Sequence, residues 1–306
     1  MKRIRQIVSF LMPLLLASLC IWSITREIQE YSWQELWHSL IQIPKTRKLE
    51  AIALTVLGYL TITGYDLLAF RYIRHSLTPT KIIFTSFLSY AVGNTVGFTL
   101  FSGTAIRYRF YSRWGVSLVE IAKIVAFIQL VFWLELLAVS GVVFVVEPLT
   151  VPTPLKLPFQ SVYPLGILFL SIVGLYLSIS FWYRKPLRIR GEELALPSVK
   201  LSLGILVVAA LDWGFAAAVL YRLLPPSSLS YPDFFGIYVL ALTAGTISTV
   251  PGGLGVFETV ILWLRPSSLS VPEVIRALVA YRGVYYVLPL IVAICLWLGR
   301  ELQRKV

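Results

Sequence analysis

The stretch "STVPGGLGVFETV", Ser248 to Val260, decides how this chain is built. It lies inside an apolar run long enough for a membrane helix, yet it holds Pro251, Gly252, Gly253 and Gly255, with an acid at Glu258 just beyond them. Proline removes a backbone donor and glycine favours turns, so the run breaks rather than continuing as one helix. The amides freed at the start of the following half-helix favour an anion, such as a lipid phosphate at the turn.

Outward from this break the chain is apolar almost throughout. Aliphatic, aromatic and cysteine residues make up 58% of the 306 residues, charged residues 14%, and mean hydropathy is +0.79. That balance marks an integral membrane protein, not a soluble domain. Six segments are long enough to cross a hydrocarbon core that needs about 20 apolar residues: Ile7 to Ile24, Ala51 to Phe70, Ser117 to Val146, Val162 to Trp182, Leu201 to Leu220 and Ile275 to Leu298. Two further stretches, Ile82 to Phe101 and Phe234 to Trp263, are interrupted by Gly, Asn or Pro. Lys2, Arg3 and Arg5 precede the first segment, but no small-residue cleavage site follows it, so it reads as a retained helix.

The net charge of +12 sits in short clusters at the ends of apolar runs. Anionic headgroups are therefore the expected partner, and nucleic acid is not. Positive charge in short loops marks the cytoplasmic side. If all eight stretches crossed, the arginines of "RYRFYSR" (Arg107, Arg109, Arg113) and the cluster Arg184, Lys185, Arg188 and Arg190 would face outward. If the two interrupted stretches dip in and return, roughly 17 basic residues lie inside against about 8 outside. The expected architecture is thus all-α, with about six crossing helices, two re-entrant hairpins and both termini in the cytoplasm. The loop "SWQELWHSLIQ", Ser32 to Gln42, has capping-box spacing and one apolar face. It reads as a helix on the outer surface or packed on the bundle.

The two interrupted halves resemble one another. "AKIVAFIQLVFWLELL" from Ala122 lines up with "RALVAYRGVYYVLPLI" from Arg276, "FSGTAIRYR" from Phe101 with "VPGGLGVFE" from Val250, and "YDLLAF" from Tyr65 with "LDWGFA" from Leu211. The single domain, residues 1–306, is expected to hold repeat unit one at 51–146 and unit two at 201–300. The extra crossing between them inverts the second, as in many transporters whose broken segments meet near the midplane.

An ionisable group inside the bilayer is costly, so each is a site candidate. Asp66 and Asp212 occupy matching places, either locking helices against an arginine or acting as a gate. Arg107 can present a planar fork to a phosphate or meet headgroups at the edge. Arg282, too deep to snorkel, needs Glu258 or Asp212 as partner. Glu135 and Lys123 lie twelve positions apart on one helix and do not pair with each other, so Glu135 needs another partner, while Lys123 is expected to reach the surface. Arg109 and Arg113 read as edge residues. Gly93, Asn94 and Gly97 are expected to break the first hairpin, with Ser102 and Gly103 at its turn, as Pro251, Gly252, Gly253 and Gly255 turn the second. There is no P-loop and no nucleophile elbow. His38 and His75 form no metal cluster, Cys20 and Cys295 offer no disulfide framework, and no cofactor or metal is expected.

At these residues the chain resembles the membrane domain of the lysylphosphatidylglycerol synthase/flippase (multiple peptide resistance factor) family and its stand-alone relatives. The resemblance is carried by "GNTVGFTLFSGTAIRYRFYSRWGVS" (Gly93 to Ser117), "TISTVPGGLGVFETVIL" (Thr246 to Leu262) and "YRGVYYVLPL" (Tyr281 to Leu290). It implies translocation of an anionic or aminoacylated phospholipid, with Asp66 and Arg107 at polar positions that matter in the family's membrane domain, Glu258 matching its acid after the glycine turn and Asp212 a looser match. The chain stops at Val306, so no lipid synthesis and no enzyme activity are expected from it. A non-transporting partner of a lipid-modifying or envelope-glycan enzyme is the alternative. A second copy of the chain or a lipid-biosynthetic enzyme are the expected protein partners, and the bacterial inner membrane is the expected location.

Overall fold

A computed structural model describes residues 41–96, 99–149, 160–183, 187–189, 192–194, 196–248, 253 and 255–302. The first apolar segment, the loop helix at Ser32 to Gln42 except for its last two residues, Gly97, Pro251 and Gly252 lie outside them. The helices are α1 (Lys45–Ile73), α2 (Pro79–Val96), α3 (Thr99–Tyr111), α4 (Leu118–Val146), α5 (Tyr163–Trp182), α6 (Val199–Leu223), α7 (Tyr231–Ile247), α8 (Val256–Leu264), α9 (Val271–Tyr281) and α10 (Leu288–Leu302). A π-helical segment, Arg282–Val287, joins α9 to α10. Outside the helical bundle, Leu187–Ile189 and Glu192–Leu194 form a small antiparallel hairpin.

Among the described residues, five helices are long and apolar enough to cross a membrane: α1, α4, α5, α6 and the continuous Val271–Leu302. They coincide with five of the six segments expected to cross. Several helix starts are set by local chemistry. Ser117, Ser230 and Ser270 are N-caps whose carboxylates three residues on, Glu120, Asp233 and Glu273, return a bond to the cap amide. These boxes satisfy donors that would otherwise be orphaned at the helix ends. Close approach of α4 and α5 depends on Gly141 and Gly166, where an added Cβ would lie 2.9 Å from Leu170 and from Phe144. Such small residues let helices pack where apolar burial provides no drive between them.

The two interrupted stretches fold back on themselves. In α2 and α3, Phe84 meets Phe110 with ring centroids 5.4 Å apart, and Ser89 lies beside Gly103. In α7 and α8, Tyr238 meets Phe257 at 5.4 Å, and Gly245 lies against Gly253. Both pairs are therefore antiparallel hairpins.

Contacts at the helix ends place them. Phe70 lies 4.9 Å from Tyr111, His75 bonds Glu120 at 2.8 Å, Lys81 and Arg300 lie over Trp114, and Arg109 bonds Glu301. The first hairpin thus begins and ends at one face of the bundle, its basic end, beside the finish of α1, the start of α4 and the finish of α10. At the opposite face Arg47 bonds the Leu224 carbonyl at 3.2 Å, Tyr221 bonds the Leu229 carbonyl at 2.9 Å, and Arg276 bonds Gln42. The second hairpin starts and returns there. The order helix, hairpin, helix occurs twice, entered from opposite faces.

Of the residues expected to break or turn the first hairpin, Gly93, Asn94, Ser102 and Gly103 lie inside its two helices, and Gly97 lies outside the described residues. Helix α2 runs on through Gly93 and Asn94 to Val96, and α3 has begun by Thr99, so Ser102 and Gly103 sit within the returning arm. Isolated glycines in a helix are tolerated when neighbouring packing supports it, and Gly93 is buried here.

Candidate functional site

Each hairpin holds a buried arginine–carboxylate pair. In the first, Asp66 of α1 is fully buried and accepts from Arg107 Nε at 2.8 Å, Arg107 Nη2 at 2.7 Å, Ser86 Oγ at 2.8 Å and Tyr111 OH at 2.9 Å. Arg107 is 2% exposed, and its guanidinium lies 4.9 Å from the Tyr90 ring centroid. The spacing within α3 explains the arrangement. Gly103, Arg107 and Tyr111 recur at four-residue intervals and so share one helix face. A Cβ at Gly103 would lie 3.0 Å from Arg107 Nη1 and 3.5 Å from the Ser89 carbonyl. Gly103 makes room for the guanidinium between the arms, a role different from turning the chain.

In the second, Glu258 Oε1 accepts from Arg282 Nε at 3.0 Å and Nη2 at 2.5 Å, while Oε2 accepts the Gly255 amide at 2.9 Å. Gly255 has φ +76° and Gly253 φ +64°, backbone that side-chain-bearing residues rarely adopt. Glu258 is the third residue of α8 and caps its own helix. The start of that half-helix, expected to favour a lipid phosphate, is occupied by the protein's own carboxylate. The Arg282 guanidinium also lies 4.8 Å from the Tyr286 ring centroid and 5.9 Å from that of Phe257.

Arg282 opens the π-helical segment, which nothing in the sequence analysis identified. A π turn lengthens the hydrogen-bond register and redirects carbonyls. Two of these carbonyls accept from neighbouring hydroxyls: Tyr59 OH reaches the Tyr285 carbonyl at 3.2 Å, and Thr95 Oγ1 the Tyr286 carbonyl at 3.3 Å. Thr95 is at the end of the first hairpin's outgoing arm, and Glu258 begins the second's returning arm. Both hairpins therefore rest on the same six residues, Arg282–Val287. Asn94, expected to cap broken backbone, instead reaches the Tyr59 side chain.

The remaining candidates separate by depth. Glu135 is buried on α4 and accepts from Tyr65 OH, the partner that sequence alone left open. The Trp213 indole also reaches it. Asp212 is buried on α6 and pairs with neither Arg282 nor any other cation among the described residues. Arg109 and Arg113 both bond Glu301, at 2.8 and 3.1 Å, and tie the first hairpin to the end of α10. Lys123 is half-buried, and with Arg71, Arg74 and Lys200 it lines a crevice of about 930 Å³ at the basic end.

No protein-family model matches the chain. It is 48% identical over 273 residues to an uncharacterized protein of Synechocystis, an alignment covering 89% of this chain and 85% of that one. It is 32% identical over 279 residues to the inner membrane protein YbhN of Escherichia coli, covering 90% of this chain and 87% of that protein. A more distant similarity, 26% identity over 280 residues, is to the phosphatidylglycerol lysyltransferase of Staphylococcus haemolyticus. It covers 85% of this chain but 32% of that protein, so the chain matches about a third of the enzyme's length.

Proposed function

The chain belongs to the family of the inner membrane protein YbhN and is a multi-pass inner membrane protein; from that premise we propose that it translocates an anionic or aminoacylated phospholipid between leaflets. The observation that carries the reading is the seating of two oppositely entered hairpins on one π-helical segment, each held by a single buried ion pair. Irregular backbone at membrane depth is tolerated only when buried in protein or lining a cavity, and transporters place their substrate sites at such breaks. The distant similarity to phosphatidylglycerol lysyltransferase supports a phospholipid as the substrate class.

In this reading the structure is a closed state. An anionic headgroup meets the basic crevice of Arg71, Arg74, Lys123 and Lys200 at the cytoplasmic face. Opening the first hairpin then separates Arg107 from Asp66 and offers its fork to the lipid phosphate. Residues 51–146 and 201–300 act as inverted repeat units, and Glu258–Arg282 is the corresponding latch of the second. Both termini lie in the cytoplasm, and the chain carries out no chemical step on the lipid.

Vesicles containing the purified full chain and fluorescent phosphatidylglycerol test the proposal. Transfer between leaflets above that of empty vesicles is expected, with Arg107→Ala showing the largest loss. Transfer at the empty-vesicle level for phosphatidylglycerol and for every other native lipid class overturns it. The saturation of Asp66 by four bonds favours one second reading, a rigid membrane partner of a lipid-modifying enzyme. Under it, variants that break the pair lose stability without changing any lipid distribution.

A further inference from the structure

Two of the buried acids differ from the rest. Asp66 and Glu258 each hold an arginine, whereas Asp212 is 6% exposed and its Oδ1 has no hydrogen-bond partner among the described residues. Glu135, 8% exposed, is also without a cation among the described residues and accepts from neutral donors, Tyr65 and Trp213. The two carboxyl groups lie within electrostatic reach of each other, and Trp213, adjacent to Asp212 in sequence, bridges to Glu135.

We propose that Asp212 and Glu135 form the site of an exchangeable proton at the centre of the bundle. Two carboxylates within electrostatic reach of each other, both buried and without a cation among the described residues, both repel and lack solvation. One proton removes the repulsion and leaves one of the two carboxyl groups neutral, which lowers the cost of its burial. The surroundings suit a proton. Tyr59 and Tyr65 from α1, Tyr90 from α2, Tyr238 from α7 and Tyr285 from the π segment all lie within electrostatic reach of Asp212. On the other helices packed against α6, α5 presents Tyr176 to Ser202, and α9 ends in Tyr281, which bonds Tyr238 before Arg282 takes Glu258. A tyrosine hydroxyl both donates and accepts, so Tyr65 can follow the Glu135 carboxyl through either protonation state. A metal ion needs several acceptor oxygens, and no group of three or more metal-ligating side chains occurs among the described residues.

The site is also connected to the moving parts. Tyr59 bonds the Tyr285 carbonyl of the segment on which both hairpins rest, and Tyr65 is the residue before Asp66. Loading or losing the proton changes the charge beside both latches. This use of the proton rests on the translocation reading; its presence does not.

The experiment is infrared difference spectroscopy on the full chain in vesicles of phosphatidylglycerol and phosphatidylethanolamine, read alongside the lipid-transfer assay. At neutral pH the carbonyl stretch of a protonated carboxylic acid is expected, shifting in heavy water and lost in the Asp212→Asn, Glu135→Gln double variant. Asp212→Asn alone keeps the side-chain shape, so its elution profile and unfolding temperature should match wild type while the band changes. Absence of the band, its survival in the double variant, or its failure to shift in heavy water overturns the proton site. In the transfer arm, a pH gradient across the vesicle should alter wild-type transfer and leave Asp212→Asn indifferent. Wild-type transfer that ignores the gradient overturns the coupling. No transfer at all overturns the translocation reading, and the infrared result still decides the site.

Discussion

The two hairpins use the same ion chemistry in different ways. In the first, Asp66 is bonded by side chains alone, from α2 and α3, and every partner is itself buried or half-buried. In the second, Glu258 divides its oxygens between Arg282 and the backbone amide of Gly255, a glycine at positive φ beside the turn. The first pair is therefore a bracket between three helices, indifferent to how the hairpin tip is folded. The second registers the conformation of its tip, because moving Gly255 moves an oxygen of the carboxylate. Two ion pairs of the same chemistry thus differ in their sensitivity to the turn.

The sharpest way to break this comparison is to remove each acid. Asp66→Ala leaves Arg107, Ser86 and Tyr111 without their partner, and breaking such a buried pair costs about 3–5 kcal/mol. Glu258→Ala should cost less, since Arg282 keeps its contacts with the Tyr286 and Phe257 rings. Thermal unfolding in detergent ranks the two, and equal losses would show that the latches do not differ. Gly253→Ala comes next. It forces an alanine to φ +64° and sets its Cβ 3.2 Å from the Gly245 Cα, so backbone strain of about 1–2 kcal/mol is a lower bound. Spread of that loss to Glu258→Ala in a double-mutant cycle would confirm that tip and latch act together; additivity would separate them.

Gly103→Ala is a smaller perturbation, because the obstructed atom is the flexible end of Arg107. About 1 kcal/mol is expected, the low end for an overpacked site, together with a transfer defect resembling that of Arg107→Ala. Wild-type transfer in this variant would show that the guanidinium has another way to sit. The smallest effect belongs to Glu301→Ala at the basic end. Its pairs with Arg109 and Arg113 are partly exposed, and about 0.2–1 kcal/mol is expected, declining with salt. A loss as large as that of Asp66→Ala would place the end of α10 among the latches.

Much of the scaffold was legible because membrane chemistry leaves few choices. A backbone in hydrocarbon must bond to itself, so long apolar runs become helices, and five of them fall where their lengths put them. Prolines and glycines in an apolar run reveal a break, and the placement of basic clusters argues for hairpins that return. The pair Glu258–Arg282 could be anticipated as one of two choices, since an arginine at that depth requires an acid. Gly93 and Asn94 misled because glycine permits a turn without requiring one, and packing within α2 decided for helix. Gly103 carried a packing message that looked like a turn.

What sequence by itself determined, then, is the class of the molecule: helices, their interruptions and the few residues too costly to be incidental. Tertiary structure alone decided which of those residues meet. Burial forces each charge to find compensation, but it does not say from which helix, and side chains 24 to 70 residues apart in sequence, as in Glu258–Arg282 and Tyr65–Glu135, leave no periodic trace of their contact. The π turn at Arg282, the tyrosine beside Glu135 and the isolation of Asp212 all arise from how independently stable helices lean together. Local propensity is silent on that geometry, and the proposed function rests on it.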